Sequence, residues 1–221
     1  MIRPGAPWGE PVPDGPAAGT VVEVTGGDAD LAAAAVAGGG ALLRYVPGPD
    51  ADFARALGLG SGGGPGTTVV ACDLLDLGHG RVAVNAVVLG VAPDRLRARH
   101  RLRPVLVEVD GRVVFDGPAT TVVVAGGQFL RGTDLVPRGH PGDGRVEVQV
   151  YSLRRAERRA MRARLAGGDH VPHPRIAQAS GRRVMVRWDH REAPLEVDGR
   201  ALAIAGELEV LVRPGAVRVL I

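Results

Sequence analysis

Lysine is absent from the 221 residues: every one of the 27 basic residues is arginine. So uniform a choice reads as a bias of nucleotide composition rather than selection position by position, which weakens the net charge of +3 as a sign of a nucleic-acid partner. Aromatic residues are also scarce. Trp8, Tyr45, Phe53, Phe115, Phe129, Tyr151 and Trp188 are scattered along the chain, which argues against a platform for stacking single-stranded bases. The one cysteine, Cys72, excludes an intrachain disulfide framework and a cysteine-based zinc site. Ser61, Ser152 and Ser180 are the only serines, none lies in a nucleophile elbow, and no Walker loop or lysine to serve one is present. No apolar run reaches the roughly eighteen residues of a membrane-spanning helix. The first residues are rich in proline and glycine where a signal peptide is apolar, so a cytoplasmic location is expected, with peripheral membrane contact as the alternative.

What is present suits one large domain or two small ones, since 45% hydrophobic residues over this length can bury a substantial core. The most ordered stretch runs from Val105 to Tyr151. Val105, Val107 and Val109 alternate with other residues, Asp110-Gly111 follows, and the extended pattern resumes from Val113 to Phe115: a β-hairpin with a tight turn. Thr120 to Ala125 is an uncharged, β-branched run that suits a strand buried on both faces. After a glycine-rich loop from Gly126 to Gly144, Val146, Val148 and Val150 place one face of a further strand toward a core.

Upstream, residues 1–19 read as a loose arm. Val21 to Val24 is a short strand, Gly26-Gly27-Asp28 a turn, and Ala29 to Ala37 a helix ended by Gly38-Gly39-Gly40. Ala41 to Val46 is a second strand, and Asp50 is expected to cap a helix that stops at Gly58. Residues 61–67 are a glycine-rich linker. Gly58 to Gly63 formally matches Gly-x-Gly-x-x-Gly but follows a helix where the dinucleotide fingerprint follows a strand. The expected layout is therefore an arm (1–19), a small α/β lobe (20–60), the linker, and a β-sandwich domain (68–221).

Arg95, Arg97, Arg99, Arg101 and Arg103 recur every second residue, either as a solvated connection or as a basic rim facing lipid headgroups. Leu153 to Leu165 has helical apolar spacing with arginines 154, 155, 158, 159, 162 and 164 on the remainder, suiting a solvated helix on a sheet edge or one lying on an anionic membrane. His170 and His173 are separated by prolines that prevent a helix from presenting both to one metal. From Arg183 onward the chain reads as short strands: Arg183–Trp188, Leu195–Arg200, Leu202–Ala205, Glu207–Val212 and Val217–Ile221.

Several of these segments together resemble the bacterial diacylglycerol kinase and sphingosine kinase-like lipid kinases, which share an NAD kinase-like fold. The resemblance rests on Val122 to Gly127, Gly132 to Pro137, Asp143 to Val148 and Asn85 to Gly90, in the family's order. Two further pieces continue it. Gly26-Gly27-Asp28-Ala29-Asp30 stands where the family has Gly-Gly-Asp-Gly-Thr, and Gly48-Pro49-Asp50-Ala51-Asp52-Phe53-Ala54-Arg55-Ala56-Leu57 stands where it has Gly-Thr-x-Asn-Asp-Phe-Ala-Arg-x-Leu. The family precedes its glycine loop with about 50 to 60 residues of α/β structure, a good part of a small domain, so the first part of the nucleotide lobe is expected to be missing.

The resemblance implies an α/β plus β architecture with a nucleotide site at Gly26, Gly27, Asp28, Gly48 and Asp52, a lipid as partner, and magnesium held by Asp143, unless Asp143-Gly144 is a plain turn. It also implies damage. Ala29 adds a Cβ, Asp30 puts a carboxylate where a threonine hydroxyl belongs, Pro49 has no N–H, and Ala51 replaces an amide. The family's late Asp-Gly-Glu turn, which supplies its carboxylate, is Asp198-Gly199-Arg200 here, and arginine cannot accept a proton. Glu192 or Glu196 would have to stand in. The same five residues, Glu-Val-Asp-Gly-Arg, also occur at 108–112, which favours a hairpin over a catalytic device. Poor ATP binding is expected. The readings are an impaired lipid-kinase homologue acting by lipid or partner binding, an active ATP-dependent lipid kinase using displaced residues or a second subunit in a homodimer, or a structural remnant.

Overall fold

The computed structural model describes residues 9–11, 20–49, 51–60 and 66–221. Most of the expected arm and linker, and the expected helix cap Asp50, lie outside the described residues. The elements are β1 (Glu10–Pro11), β2 (Val21–Gly26), α1 (Asp28–Ala37), β3 (Leu42–Pro47), α2 (Asp52–Ala56), β4 (Thr68–Asp76), β5 (Val82–Ala83), β6 (Ala86–Gly90) and β7 (Arg103–Val109). They continue as β8 (Arg112–Ala119), β9 (Thr121–Ala125), β10 (Phe129–Leu130), β11 (Thr133–Asp134), β12 (Val146–Tyr151), α3 (Glu157–Leu165), β13 (Ile176–Gly181), β14 (Arg183–Val197) and β15 (Arg200–Leu220).

The architecture is α/β plus β, dominated by sandwich-like sheet. Among the described residues, thirteen strands form one hydrogen-bonded network that follows the path β1-β4-β15-β14-β6-β9-β12-β13. Strand β14 folds across the molecule, pairing with β7 through Val184–Trp188 and with β6 through Leu195–Val197. The valines of β7, β9, β12 and β14 that alternate in sequence meet in one core: Val105, Val107, Val122, Val124, Val146, Val148, Val150, Val184 and Val186. The opposite faces of β6 and β9, through Ala86, Val88, Val123 and Ala125, pack under α3 with Met161 and Leu165. Burial on both faces is why Thr121–Ala125 carries no charge.

The β2-α1-β3 unit is parallel, and β3 in turn pairs in parallel with the last residues of β15, Arg218 to Leu220. Helices α1 and α2 cover this end, packing Leu31 and Phe53 against Val70, Cys72, Val217 and Val219. Burial pushes the Cys72 thiol up to about 12, which makes it inert.

Three expectations need correction. The short strands read between Arg183 and Ile221 are two long ones, β14 and β15, continuous through register shifts at Arg187/Glu192 and Arg213/Val217. The second helix is shorter than read, with Ala51 at its N-cap, and Asp28 accepts the Phe53 N–H in its first turn. Arg158, read among the solvated arginines of α3, is 2% exposed.

Candidate functional site

Strand β2 ends at Gly26, whose φ of +141° favours glycine, and Gly27 is the N-cap of α1. Gly26 and Gly48 bring the ends of β2 and β3 into contact. The Gly48 N–H donates to the Gly26 carbonyl at 2.8 Å, the Tyr45 hydroxyl donates to the same oxygen at 3.2 Å, and a Cβ on Gly48 would lie 3.3 Å from Gly26 main chain. A cavity of about 450 Å³ opens beside this junction. Gly26, Gly27, Asp28, Gly48 and Asp52 all line it, so the structure gathers the five residues expected to hold a nucleotide.

The Asp198-Gly199-Arg200 turn between β14 and β15 faces the same cavity, as do Arg95 and Arg131. Read from sequence as a mere hairpin turn, it is both turn and cavity wall. Asp198 and Gly199 have φ of +46° and +78°, the paired left-handed conformation of a tight hairpin. Arg131 was not anticipated. It has φ of +49°, and with Gly132 it turns the hairpin between β10 and β11; a two-residue Arg-Gly step between apolar and polar pairs was the available signal.

Each charged group around the cavity is matched by another group of the protein. The Asp28 carboxylate accepts the Phe53 N–H at 3.0 and 3.1 Å and the Asn85 side-chain amide at 2.7 Å. Asp30, third residue of α1, accepts the Gly27 N–H at 3.0 Å and pairs with Arg200; the first contact is half of a capping box. Asp52 accepts the N–H groups of Arg131 and Gly132, the latter at 2.7 Å, while Arg55 on the next turn of α2 donates to the Gly132 carbonyl at 3.2 Å. The Asp52-Phe53-Ala54-Arg55 segment thus grips the β10–β11 turn. Arg131 forks onto Asp94 at 3.0 and 2.6 Å and pairs with Glu196, which also lies 3.6 Å from Arg95.

Asp198 accepts three main-chain N–H groups, from Val84 at 2.8 Å, Asn85 at 3.0 Å and Ala86 at 2.9 Å. Burial nevertheless pushes its pKa up to about 6, against those three contacts. Burial, and then the neighbouring Asp198, push Asp28 up to about 8. The Gly27 N–H contact, followed by Arg200, lowers Asp30. Both carboxylates are therefore harder to ionise than exposed ones, Asp28 the more so.

Asp143 lies away from this cavity. It is exposed, and its Oδ1 accepts the Arg145 N–H at 3.0 Å. The buried carboxylate nearby, Asp73, accepts the N–H groups of Gly144 at 2.6 Å and Gly215 at 2.9 Å. Among the described residues no group of three or more His, Cys, Asp or Glu is arranged to hold a metal ion, and one exposed carboxylate is a weak magnesium ligand. His170 is buried and stacks on Tyr151, with ring centroids 6.4 Å apart.

The family model of the YegS C-terminal NAD kinase beta sandwich-like domain matches residues 81–221. No curated protein sequence matches the chain significantly. Among solved structures, a diacylglycerol kinase from Bacillus anthracis str. Sterne superposes with a TM-score of 0.73 at 18% identity, over 90% of this chain and 77% of that one. A second crystal structure, of a protein from the same strain, gives a TM-score of 0.75 at 17% identity, with the same coverage. At such identities these likenesses concern the fold.

Proposed function

Because the chain belongs to the YegS C-terminal NAD kinase beta sandwich-like domain family, we propose that it is a lipid-kinase-like protein of the diacylglycerol kinase type. In this reading phosphoryl transfer is impaired and the protein works by binding a lipid or a partner. The fold likeness to diacylglycerol kinase structures supports the class. One observation carries the impairment: the Asp30 carboxylate lies on the Gly27 N–H, so the glycine loop is already answered by an anion of its own chain.

A polyphosphate in this loop would need main-chain N–H groups free to donate and no carboxylate facing it. Gly27 has given its N–H to Asp30, Pro49 has none, and Arg200 is paired with the same Asp30. Transfer to a lipid hydroxyl further needs a carboxylate free to accept a proton. Asp28, Asp52, Asp198 and Glu196 are each held by the donors described above.

A second reading, an active ATP-dependent lipid kinase, is favoured by one feature: the buried Asp28 and Asp198 carboxylates face one cavity with raised pKa values, as acid–base pairs do. It would require magnesium with the ATP, and a homodimer if a second copy supplies the missing donors.

The test is transfer of radiolabelled phosphate from Mg-ATP to diacylglycerol in mixed vesicles, with thermal shift by Mg-ATP and mass spectrometry of lipid extracted from the purified protein alongside. Impairment predicts no labelled lipid and no gain in Tm, with a co-purified lipid in the extract. Labelled phosphatidic acid at ordinary turnover, abolished by Asp198→Asn, would establish the second reading in its place.

A further inference from the structure

The arginine-rich segment between β6 and β7 is held by an arrangement that a solvated linker would not need. Arg158 of α3 is 2% exposed, and its guanidinium donates to the carbonyls of Arg97 at 2.9 Å, Ala98 at 3.3 Å and His100 at 2.6 Å. Its Nε and Nη2 each donate to the Leu153 carbonyl at 3.2 Å. All its hydrogen-bond partners are main-chain oxygens, and it forms no ion pair with a described carboxylate. Burial, and then Arg155, push its pKa down. Burying an arginine without a carboxylate is unfavourable unless its N–H groups are fully used.

What Arg158 braces is a row of like charges. Arg97, Arg99, Arg101 and Arg103 are all exposed, and none is in an ion pair with a described residue. The acidic groups on either side of it in sequence are turned elsewhere: Asp94 to Arg131, and Glu108 to Arg187 at 3.2 Å. Among the described residues the row meets no opposite charge, and a layer of negative charge outside it would be attracted to it.

Amid the row the surface becomes apolar. Leu102 is 38% exposed between Arg101 and Arg103. A cavity of about 360 Å³ opens among Arg99, His100, Arg101 and Arg103, with Trp188, 5% exposed, as its floor. Gly90 lets that floor form, since a Cβ there would lie 2.8 Å from the Trp188 ring and 2.3 Å from the Thr120 carbonyl.

We propose that the 97–103 segment, braced by Arg158, is a docking face for the anionic surface of a lipid bilayer. Its arginines take headgroup phosphates, while Leu102 and the cavity floor face the start of the acyl region. A nucleic acid would also answer the charge, but it would want exposed rings for stacking, and Trp188 is buried. The inference goes beyond the cleft and holds whether or not the cleft turns over ATP.

The experiment is sedimentation of the full chain with vesicles of phosphatidylcholine alone or mixed with phosphatidylglycerol, over a range of salt concentration. Binding is expected only with phosphatidylglycerol and should weaken as salt rises. At about fivefold per arginine, the variant R99Q/R101Q/R103Q should bind about 100-fold more weakly. R81Q/R112Q/R218Q removes the same charge from exposed arginines elsewhere and should bind like the parent. All six positions are on the surface, so folding is not at stake. No binding to phosphatidylglycerol vesicles, equal loss in both variants, or tighter binding to a mixed-sequence RNA overturns the proposal. None of these measurements involves ATP, so such a failure leaves the reading of the cleft intact.

Discussion

A carboxylate that receives a main-chain N–H and an asparagine amide, and is still pushed up to about 8, is one for which burial outweighs hydrogen bonding. That group is Asp28. Its unfolded value lies near 3.8, so between about pH 4 and about pH 8 the folded protein holds a proton there that the unfolded chain releases. Its stabilising contribution is complete below the lower value and is lost as pH rises through the upper one; Asp198, raised to about 6, acts in the same sense over a narrower window. Asp28→Asn cannot ionise and still accepts the Phe53 N–H. Urea midpoints should therefore show the variant gaining on the parent steadily from about pH 4 to about pH 8, and no further above that. A constant difference would mean that Asp28 is not protonated in the folded state. Asp30 makes a separate prediction. Asp30→Thr removes a charge that costs a nearby phosphate about 1 kcal/mol, and frees a Gly27 N–H worth about as much. Mg-ATP affinity by calorimetry should rise about 30-fold. No change would mean that Asp30 only caps α1.

At the scale of elements, the chain contains its own control. Glu-Val-Asp-Gly-Arg occurs twice, at 108–112 and 196–200, and both copies form the same turn, with Asp110 and Gly111 at φ of +50° and +76°. Both aspartates also brace a neighbouring segment: Asp110 accepts the N–H groups of Arg182 and Arg183 on the surface, Asp198 those of Val84, Asn85 and Ala86 in the interior. Asparagine tolerates this backbone, but its amide would confront an N–H group. Asp198→Asn should cost about 3 kcal/mol in urea unfolding, because the mismatch is buried, while Asp110→Asn should cost about 0.5 kcal/mol, because water relieves it. Equal costs would show that the interior site is hydrated. The pair also marks what was legible. The Asp-Gly turns, the alternating valines and the glycine stops of α1 are local signals, and the chain forms those elements. The cap of α2 by Asp28 and the burial of Arg158 depend on residues that only the fold brings near, so their own stretches give no sign of either.

For the whole molecule, the decisive pairing joins residues far apart in sequence. Leu42 to Arg44 of β3 lie beside Arg218 to Leu220 of β15, and Val69 to Cys72 of β4 lie on the other side of the same strand. The glycine-rich linker suggested a division near residue 60, and nothing local in either segment announces that the last residues of the chain close the sheet of the first. The five cavity residues were legible because they sit on two short motifs. Asp198 and Glu196 were singled out only through the resemblance, and Arg131 not at all, because they arrive at the cavity through the turns of strands placed by this long-range pairing. If one sheet joins both parts, they should open together. Native-state hydrogen exchange is expected to report a common opening free energy for the slowest amides of β3, β4 and β15. Val219 is 0% exposed within the core that α1 and α2 cover, and Val219→Asp should lower that opening by more than about 4 kcal/mol. The acceleration should reach β2 and β3 as fully as β4. Exchange that quickens in β4 and β15 while β2 and β3 keep their protection would show the two parts to be energetically separate, with the β3–β15 pairing a contact between them rather than a continuation of one sheet.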